Sequence, residues 1–586
     1  MARVASMARS TLTFAGARRT VHRSLGRLKG LVTILVPPLP GRRDYLVIAP
    51  QDLRTADPTR ATEIYGGRFA LAGKVVVSDG RSPFEMFEPS EEWAEALFGF
   101  GWLRHLRAAD SPITRANARA LVDEWITLQR SYQGTAWRPE VLSRRIMSWL
   151  SQANLILDEA DDRFYRRFLR SLTRQVQFLR STARDARPGA PQLQALIALT
   201  YAALCISSQF KHLNRASNRL VAELDRQILP DGGHISRNPG ALIELLLDLL
   251  PLGQAFTARS VAPPPALLNA IHRMMPMLRF FRHGDGSFAL FNGMGPTPAD
   301  RIATLIAYDD AHGTPVSNAV HSGYQRVEAG DTVLLMDTGR PPPPAMSGEA
   351  HAGCLSFEMS MRAQRIIVNC GEPATGRENW RDFARSTAAH STVTFNDASS
   401  CRFQDWGRRP PGVGAPIVAG PTRVTVERGA GADGATVLRA SHDGYATRFS
   451  VIHQRTLTIA ADGHRIDGED LFLPTKGEAI PAKIPDDFVS RFLLHPAVRA
   501  TRVADGHGVM LVLPTRESWN FHAYEDLLEV EDGAFLGGAD GPRRTFQIVI
   551  RGHARQAPRL RWYLEYVPQA MRPRSAGRSH EPELPL

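Results

Sequence analysis

The amino-acid sequence predicts a multidomain protein in which a helical half is followed by a large antiparallel β-sandwich. Its 586 residues are too many for one hydrophobic core, so two or more domains are expected. Apolar residues recur at helical spacing from about residue 88 to residue 282, and period-two alternation dominates afterwards. The hydrophobic fraction of 43% and the charged fraction of 22% are those of an ordinary globular protein.

The segment DSPITRANARALVDEWITLQRSY illustrates the helical half. Ser111 is an N-cap candidate and Pro112 occupies the first helical position. Ala118, Val122 and Trp125 keep a spacing of three or four residues. Six further segments follow with short connections rich in Pro, Gly, Asp and Asn. Such connections favour antiparallel helical hairpins, arranged either as a bundle or as a ring.

The second half alternates apolar and polar residues in segments such as LSFEMSMRAQRIIVNCG, HSTVTFND and RFSVIHQRTLTIAADGHRIDGEDLFL. Turn signals such as ADGH and HDGY separate these predicted strands. Many antiparallel strands in series predict a large sandwich.

These patterns divide the chain into four parts. Residues 61–315 are assigned to the helical domain and residues 316–560 to the sandwich domain. Residues 1–60 are predicted to be a basic, partly disordered leader, and residues 561–586 are predicted to be a disordered tail. The apolar stretch LVTILV in the leader is too short to cross a bilayer. No other segment approaches the length that a membrane span requires, so no transmembrane segment is expected.

The formal charge of +12 is carried mostly by arginine, a residue suited to bidentate recognition of carboxylate, sulfate and phosphate. An anionic polymer is therefore a plausible partner. No RNP motif, zinc finger or compact Lys/Arg block indicates nucleic acid, so a nucleic-acid partner is not expected.

The four cysteines form no CxxC motif, which argues against a zinc ribbon or a disulfide scaffold. The oligomeric state is left open.

A helical half followed by a sandwich resembles the heparinase II/III family of polysaccharide lyases. The resemblance extends from about residue 98 to residue 551, and its motifs are AWRPEVLSRRIMSWL, ILPDGGHISRNP, HGDGSFALFNGMG, EAHAGCLSFEMS, IIVNCG and AAHSTVTFND. It implies a helical (α/α) toroid packed on a layered β-sandwich, with a site in the cleft between them. It also implies an acidic polysaccharide substrate and work in the cell envelope or periplasm, although the leader lacks a clear signal peptide, which leaves a cytoplasmic location as the alternative.

Lyase chemistry makes specific demands on such a site. The C5 proton of a uronate is weakly acidic, so the neighbouring carboxylate must be neutralised while a carbanion develops. A base removes the proton and an acid protonates the leaving oxygen. In the family a tyrosine and a histidine transfer the protons, and an asparagine or histidine neutralises the carboxylate.

Asn238 matches the neutralising position of the family. Its neighbours Arg237 and His234 are candidates to bind the same anion. The alternative is that Asn238 caps the helix that starts at Pro239, and capping does not exclude a role in the site.

The family spacing places the catalytic tyrosine close to Asn292, where this sequence has no tyrosine. Tyr308 is the preferred substitute and Tyr324 the second candidate, while Asn292 is retained as a substrate contact. The alternative for either tyrosine is an aromatic residue packed in the core.

The stretch EAHAGC corresponds to a family loop that typically reads His-Gly-His-Ala-Asp. His351 matches the second histidine of that loop, which is a structural metal ligand in the family, and His351 is also a catalytic candidate in this chain. The first histidine of the loop is a catalytic candidate in the family, and this chain has Glu349 at that position. Glu349 is a base or acid candidate, or else a solvated carboxylate. The resemblance implies that His351, Asn369 and His390 are the ligands of one structural Zn²⁺. The alternative is a hydrogen-bonded polar layer.

Further candidates for substrate binding lie in predicted loops and strand edges on the sandwich side. They are the arginines that could grip carboxylates, Arg301, Arg377, Arg381 and Arg402, and the tryptophans that could stack on sugar rings, Trp380 and Trp406. The alternative for each is an ordinary surface residue.

Two functions are carried forward. The first is a lyase that cleaves an acidic, uronate-containing polysaccharide by β-elimination. The second is a non-catalytic or differently reacting binder of envelope or capsular polysaccharide, because a fold does not fix a chemistry. A third, a structural or nucleic-acid partner protein, rests only on the basic charge.

Overall fold

The computed structural model describes residues 44–128, 133–309, 315–405, 414–475, 479–503, 506–524 and 528–568. Helices dominate up to residue 306 and strands from residue 318 onward, so the predicted order of a helical half and a sheet-rich half is confirmed. The helices of the first half are α1 (Thr59–Tyr65), α2 (Glu91–Phe98), α3 (Leu103–Ala109), α4 (Pro112–Leu128), α5 (Pro139–Ser151), α6 (Ala153–Leu157), α7 (Asp162–Thr182), α8 (Ala190–Cys205), α9 (Leu213–Gln227), α10 (Pro239–Ala258), α11 (Pro265–Phe280) and α12 (Ala299–Ile306). Two short helices, α13 (Arg377–Ala384) and α14 (Ala446–Phe449), interrupt the strands.

The helices pack on one another: α5 on α8, α8 on α9 and α10, and α10 on α11. Trp93, Trp125 and Trp149 are fully buried among them, as their helical spacing predicts. Their rings supply a large part of the apolar area that the helical half removes from water.

The described residues include the last part of the predicted leader, residues 44–60. The stretch that begins at Asp44 already packs on the helices: Leu46 forms a β-bridge with Ile206, and the Arg54 guanidinium lies 2.8 Å from the Asp248 carboxylate. Residues 1–43 lie outside the described residues.

Helix α10 is long and apolar enough to cross a bilayer by composition alone. Twelve of its side chains are buried in the protein, among them Leu242, Leu246 and Leu249. A core helix has the same composition, because a helix that packs on all sides is apolar all round.

The strands are β1 (Arg68–Leu71), β2 (Lys74–Val77), β3 (Asn318–Ala319), β4 (Tyr324–Ala329), β5 (Thr332–Asp337), β6 (Phe357–Met361), β7 (Gln364–Val368), β8 (Val393–Phe395), β9 (Arg402–Phe403), β10 (Ile417–Ala419), β11 (Val424–Ala430), β12 (Thr436–His442), β13 (Val451–Ile459), β14 (Arg465–Pro474), β15 (Asp487–Leu494), β16 (Arg499–Arg502), β17 (Gly508–Val512), β18 (Ser518–Ala523), β19 (Leu528–Phe535), β20 (Arg543–His553) and β21 (Arg559–Val567). Within the described ranges one antiparallel sheet has the order β11-β12-β13-β14-β21-β18-β17-β16. A second has the order β19-β20-β15-β7-β6-β5-β4-β3, with β8 paired to β15. The last strand ends at Val567, beyond residue 560 where the tail was expected to begin.

The two sheets face each other across an aromatic core. The ring of Phe357 on β6 stacks on Trp562 of β21 at 5.7 Å, and Phe492 of β15 meets the same indole at 4.7 Å. This is the predicted sandwich. Every residue of β6 is buried, including Glu358, because the helical half covers the other face of that sheet. The contact between the halves is therefore part of the hydrophobic interior, and it positions the site.

Candidate functional site

Asn238 lies where the helical half meets the sandwich. Its Oδ1 accepts a hydrogen bond from the backbone N–H of Gly240 at 2.8 Å, so it is the N-cap of α10. Its Nδ2 donates to Oε2 of Glu349 at 3.0 Å. Asn238 is half-buried and Glu349 is exposed. One side chain therefore caps a helix and also presents its amide to the opposite half of the protein.

The turn at Asn292 and Gly293 brings the two halves into contact. A Cβ on Gly293 would lie 2.9 Å from the Glu349 carbonyl oxygen and 3.1 Å from Asn238 Nδ2, and the φ of Gly293 is +90°. Both the close approach and the left-handed backbone require glycine here. We call Asn238, Asn292, Glu349 and His351 the junction site.

Asn292, predicted as a substrate contact, is buried and its side chain is bonded within the protein. Its Oδ1 accepts from the His351 backbone N–H at 3.1 Å, and its Nδ2 donates to the Tyr324 hydroxyl at 2.7 Å and to Asp337 Oδ2 at 3.1 Å. These bonds fix the position of the loop that carries Glu349 and His351.

Arg237, predicted to bind the same anion as Asn238, has its guanidinium directed into the protein. The guanidinium is buried, pairs with the Asp337 carboxylate and donates to the carbonyls of Ser322 and Gly323 at 2.8 and 3.0 Å. Burial alone would lower the pKa of Arg237, yet the Asp337 carboxylate raises it above its usual range. Its charge is therefore neutralised inside the protein.

His234, also predicted as a substrate contact, is buried. Its Nε2 lies 2.8 Å from Gln227 Oε1, which can only accept, so Nε2 carries the hydrogen. Its Nδ1 lies 2.7 Å from the Ser236 hydroxyl. Burial lowers the pKa of His234 to about 4, so the ring is a neutral structural group at neutral pH.

His351 and His390 are neighbours, as the resemblance implies. His390 Nδ1 lies 2.7 Å from the Ser386 carbonyl oxygen and must donate to it, which leaves His390 Nε2 to accept from His351 Nδ1 at 2.9 Å. Burial, and then the proximity of His351, lower the pKa of His390 to about 3. The described contacts include no hydrogen-bond partner for His351 Nε2, which lies 3.6 Å from Glu372 Oε1. Both rings are buried, so a polymer reaches the neighbouring Glu349 before either imidazole.

The third member of the implied metal set is bonded elsewhere. Asn369 Oδ1 accepts from the Ser391 N–H at 3.0 Å, and its Nδ2 donates to Glu358 at 3.2 Å. In the described part of the chain no three His, Cys, Asp or Glu side chains converge on one point. Asn369 is thus bonded to Ser391 and Glu358, while the two histidines are bonded to each other. Zinc binding stays a prediction, and no step below depends on it.

Neither tyrosine candidate contacts the Asn238–Glu349 pair. The Tyr308 hydroxyl lies 3.4 Å from Gln51 Oε1, just after α12. The Tyr324 hydroxyl is buried and donates to the Arg237 carbonyl oxygen at 2.6 Å, and burial raises the pKa of Tyr324.

The other predicted contacts are dispersed. Arg301 pairs with Glu244 of α10. Arg377 begins α13, where Arg381 and Trp380 are half-buried and the Trp380 ring meets Phe383 at 6.1 Å. Arg402 is exposed on β9. Trp406 lies outside the described residues.

Sequence reasoning missed the most strongly bonded group at the contact between the halves. Glu358 Oε2 lies 2.9 Å from His283 Nε2 and 2.8 Å from Arg365 Nη2, and Oε1 accepts from the Leu290 and Asn369 N–H groups. We call His283, Glu358 and Arg365 the Glu358 cluster. Burial would raise the pKa of Glu358, but Arg365 and the hydrogen bond from His283 lower it to about 2. The available signal was a glutamate within the apolar run LSFEMS.

Comparisons with known proteins agree with this architecture. The family described as Heparinase II/III-like, C-terminal, matches residues 311–563. FtsZ-localized protein C of Caulobacter vibrioides is 31% identical over 536 residues, which cover 89% of this chain and 90% of that protein. A crystal structure of heparinase III superposes with a TM-score of 0.69 at 14% identity, covering 95% of this chain and 91% of the other. A mutant of a heparan sulfate lyase from Pedobacter heparinus gives a TM-score of 0.60, also at 14% identity, with 95% and 90% covered.

Proposed function

Because the chain belongs to the heparinase II/III family, we propose that it is a polysaccharide lyase-like protein that binds a glycan at the junction site without the family's tyrosine–histidine elimination. The observation that carries this proposal is the 3.0 Å hydrogen bond from Asn238 to Glu349. The amide that would neutralise a uronate is directed at a carboxylate of the protein itself.

Electrostatics argues against a polyanion at this point. A uronate carboxylate that approached Asn238 would also approach Glu349, and two like charges about 4 Å apart repel by roughly 4 kcal/mol near a protein surface. The closest arginine in sequence, Arg237, is neutralised by Asp337 and cannot compensate. A neutral or cationic sugar would avoid this repulsion.

The proton-transfer groups are also missing from the described contacts of the pair. The family's histidine is replaced by Glu349, and the hydroxyls of Tyr308 and Tyr324 are bonded to other groups. A base and an acid must both reach the substrate for elimination to proceed. Here one carboxylate would have to perform both tasks.

The lyase remains the second candidate function, because Glu349 is exposed and oriented by Asn238, as a catalytic base would be. Incubation with a panel of uronate polymers distinguishes the two, since elimination yields an unsaturated product that absorbs ultraviolet light. We expect no product. Product formed by the wild-type chain and lost in Glu349→Gln would establish the lyase instead.

Binding is measured separately by affinity electrophoresis in gels that contain acidic, neutral or amino-sugar polysaccharides. We expect retardation by a neutral or amino-sugar glycan, and a gain in binding to acidic glycans for Glu349→Gln. The control is Glu427→Gln, which changes the same charge on the exposed strand β11. If no glycan of any class retards the protein, the proposal fails.

The relative's name supplies a proposal about location. FtsZ-localized protein C shares 31% identity across 89% of this chain, and we propose that this chain also localises with FtsZ. Fluorescent fusions of both proteins in the native host test this directly. A signal that is uniform around the envelope would support the envelope or periplasm location predicted from the family instead.

A further inference from the structure

A cationic pocket lies in the helical half, between α4 and α7 and away from the junction site. Its cavity has a volume of about 290 Å³. Six of its lining residues carry the argument: Trp125, Trp137, Arg167, Arg170, Arg174 and Gln175. We call this the arginine pocket. Its volume is at the lower end of the range for small-molecule sites.

The three arginines share one face of α7, because residues three, four and seven positions apart align along a helix. Arg167 is paired with Asp123 of α4 at 3.2 Å. Arg170 donates through Nε to the Arg166 carbonyl oxygen and has no described carboxylate partner, and Arg170 and Arg174 are both exposed. Two of the three guanidinium charges are therefore available to a ligand.

A fourth cation lies behind the pocket wall. Arg145 is fully buried, with its guanidinium 4.7 Å from the Trp125 ring centre and 5.1 Å from that of Trp137. Its Nε donates to Gln175 Oε1 at 2.7 Å, and its Nη1 donates to two backbone carbonyls. Its Nη2 has no hydrogen-bond partner among the described residues.

Among the described residues, no carboxylate pairs with Arg145. Burial lowers the pKa of Arg145 to about 9, with no opposing ion pair. Two deeply buried arginines at the contact between the halves do have such partners: Arg237 pairs with Asp337, and Arg365 pairs with Glu358. A buried cation without a counter-ion is costly unless something supplies the negative charge.

We propose that the arginine pocket binds the phosphate or sulfate group of a small ligand. Arg170 and Arg174 would donate to its oxygens, and Gln175 would orient the anion against the wall that covers Arg145. Guanidinium groups suit such oxyanions because their planar donors match two oxygens at once. The Trp125 and Trp137 rings exclude water from one side of the pocket, which strengthens the attraction.

Isothermal titration calorimetry on the full chain tests this with inorganic phosphate, sulfate and glycerol 3-phosphate, at constant ionic strength set with chloride. We expect one site per chain. Tighter binding of the ester would identify a phosphate monoester as the ligand class, and tighter binding of sulfate would identify a sulfated one. No binding of any of the three at millimolar concentration would overturn the proposal.

Variants separate the pocket from the general basic charge of the protein. Arg170→Gln/Arg174→Gln should weaken binding at least about tenfold, as expected when charge-assisted hydrogen bonds are lost. The control Arg499→Gln/Arg502→Gln removes the same charge from the exposed strand β16 and should leave the affinity within about twofold, since distant surface charges are screened by salt. Equal losses in both variants would contradict the proposal.

A third variant keeps every charge. Ser171→Phe places a ring in the half-buried lining of the pocket, and it should abolish binding if the anion occupies the cavity. Unchanged binding would show that the anion only contacts the helix surface. Thermal unfolding without ligand checks that each variant is folded.

Discussion

Two polar groups join the helical half to the sandwich, and they are built in opposite ways. In the Glu358 cluster, Glu358 is fully buried and bonded to His283 and Arg365. In the junction site, Glu349 is exposed and bonded only to the neutral amide of Asn238 among its described contacts. The first arrangement holds the halves together. The second can be altered at little cost in stability, which is typical of a surface kept for interaction.

The largest expected effect follows from breaking the Glu358 cluster. Glu358→Gln leaves the buried guanidinium of Arg365 without its counter-ion and removes an acceptor from His283. We expect the free energy of unfolding to fall by about 3–5 kcal/mol, as for other buried ion pairs that lose one partner. Denaturant unfolding measures this. The matched control Glu427→Gln, on an exposed strand, should have no measurable effect, and equal losses in both would contradict the comparison.

The same cluster should make stability depend on acid pH. The folded state holds the pKa of Glu358 at about 2, below its unfolded value of about 4.5, so the unfolded state binds more protons between these values. The stabilisation is complete above the unfolded pKa and is lost as pH falls from about 4.5 toward 2. The free energy of unfolding, plotted against pH across this window, should change less for Glu358→Gln than for the wild type. Equal pH dependence of the two proteins would contradict the assignment.

His390 should add a second pH dependence at higher pH. Its folded pKa is about 3 and its unfolded value about 6.5, so the unfolded state binds the extra proton between these values and stability falls as pH drops through that range. His390→Gln should reduce the slope of stability against pH between 6.5 and 4.5, where Glu358 contributes little. An unchanged slope would show that the ring is not held neutral by burial.

The contrast also shows what sequence patterns can predict. Period-two alternation predicted the strand at LSFEMS, but a glutamate in such a pattern normally faces water. Glu358 is buried because the helical half covers the outer face of its sheet, and this contact joins residues 75 positions apart. Alternation reports which side of a strand a residue occupies and carries no information about what covers that side. The buried position of Arg237 depends on a similar contact, because its partners Ser322, Gly323 and Asp337 lie 85 to 100 positions away along the chain.

The local features of the site were more predictable. The sequence RNP offered, as the alternative for Asn238, the cap of α10 that the structure has, because a cap depends only on neighbouring residues. The spacing from His351 to His390 was also informative, and their rings are in contact. The tyrosine could not be located, since the sequence preferred Tyr308 over Tyr324 and neither hydroxyl is bonded to the Asn238–Glu349 pair.

Asn238 allows its two roles to be measured separately. Asn238→Ala removes both the cap and the bond to Glu349, and should destabilise the protein by about 1 kcal/mol. Asn238→Ser retains a cap oxygen but not the amide, so we expect only a few tenths of that loss. Both variants should alter glycan binding equally, because both lack Nδ2. If Asn238→Ser retains normal binding, the amide does not contribute to the site.

The smallest expected effect on stability is that of Glu349→Gln. The carboxylate is exposed, and a glutamine oxygen can still accept from Asn238 Nδ2, so the free energy of unfolding should not change measurably. Denaturant unfolding beside Glu358→Gln makes the comparison direct, since both variants remove one glutamate charge at the contact between the halves. A large loss in the free energy of unfolding would mean that Glu349, like Glu358, stabilises the contact between the halves. The junction site would then have no exposed group available only to a ligand.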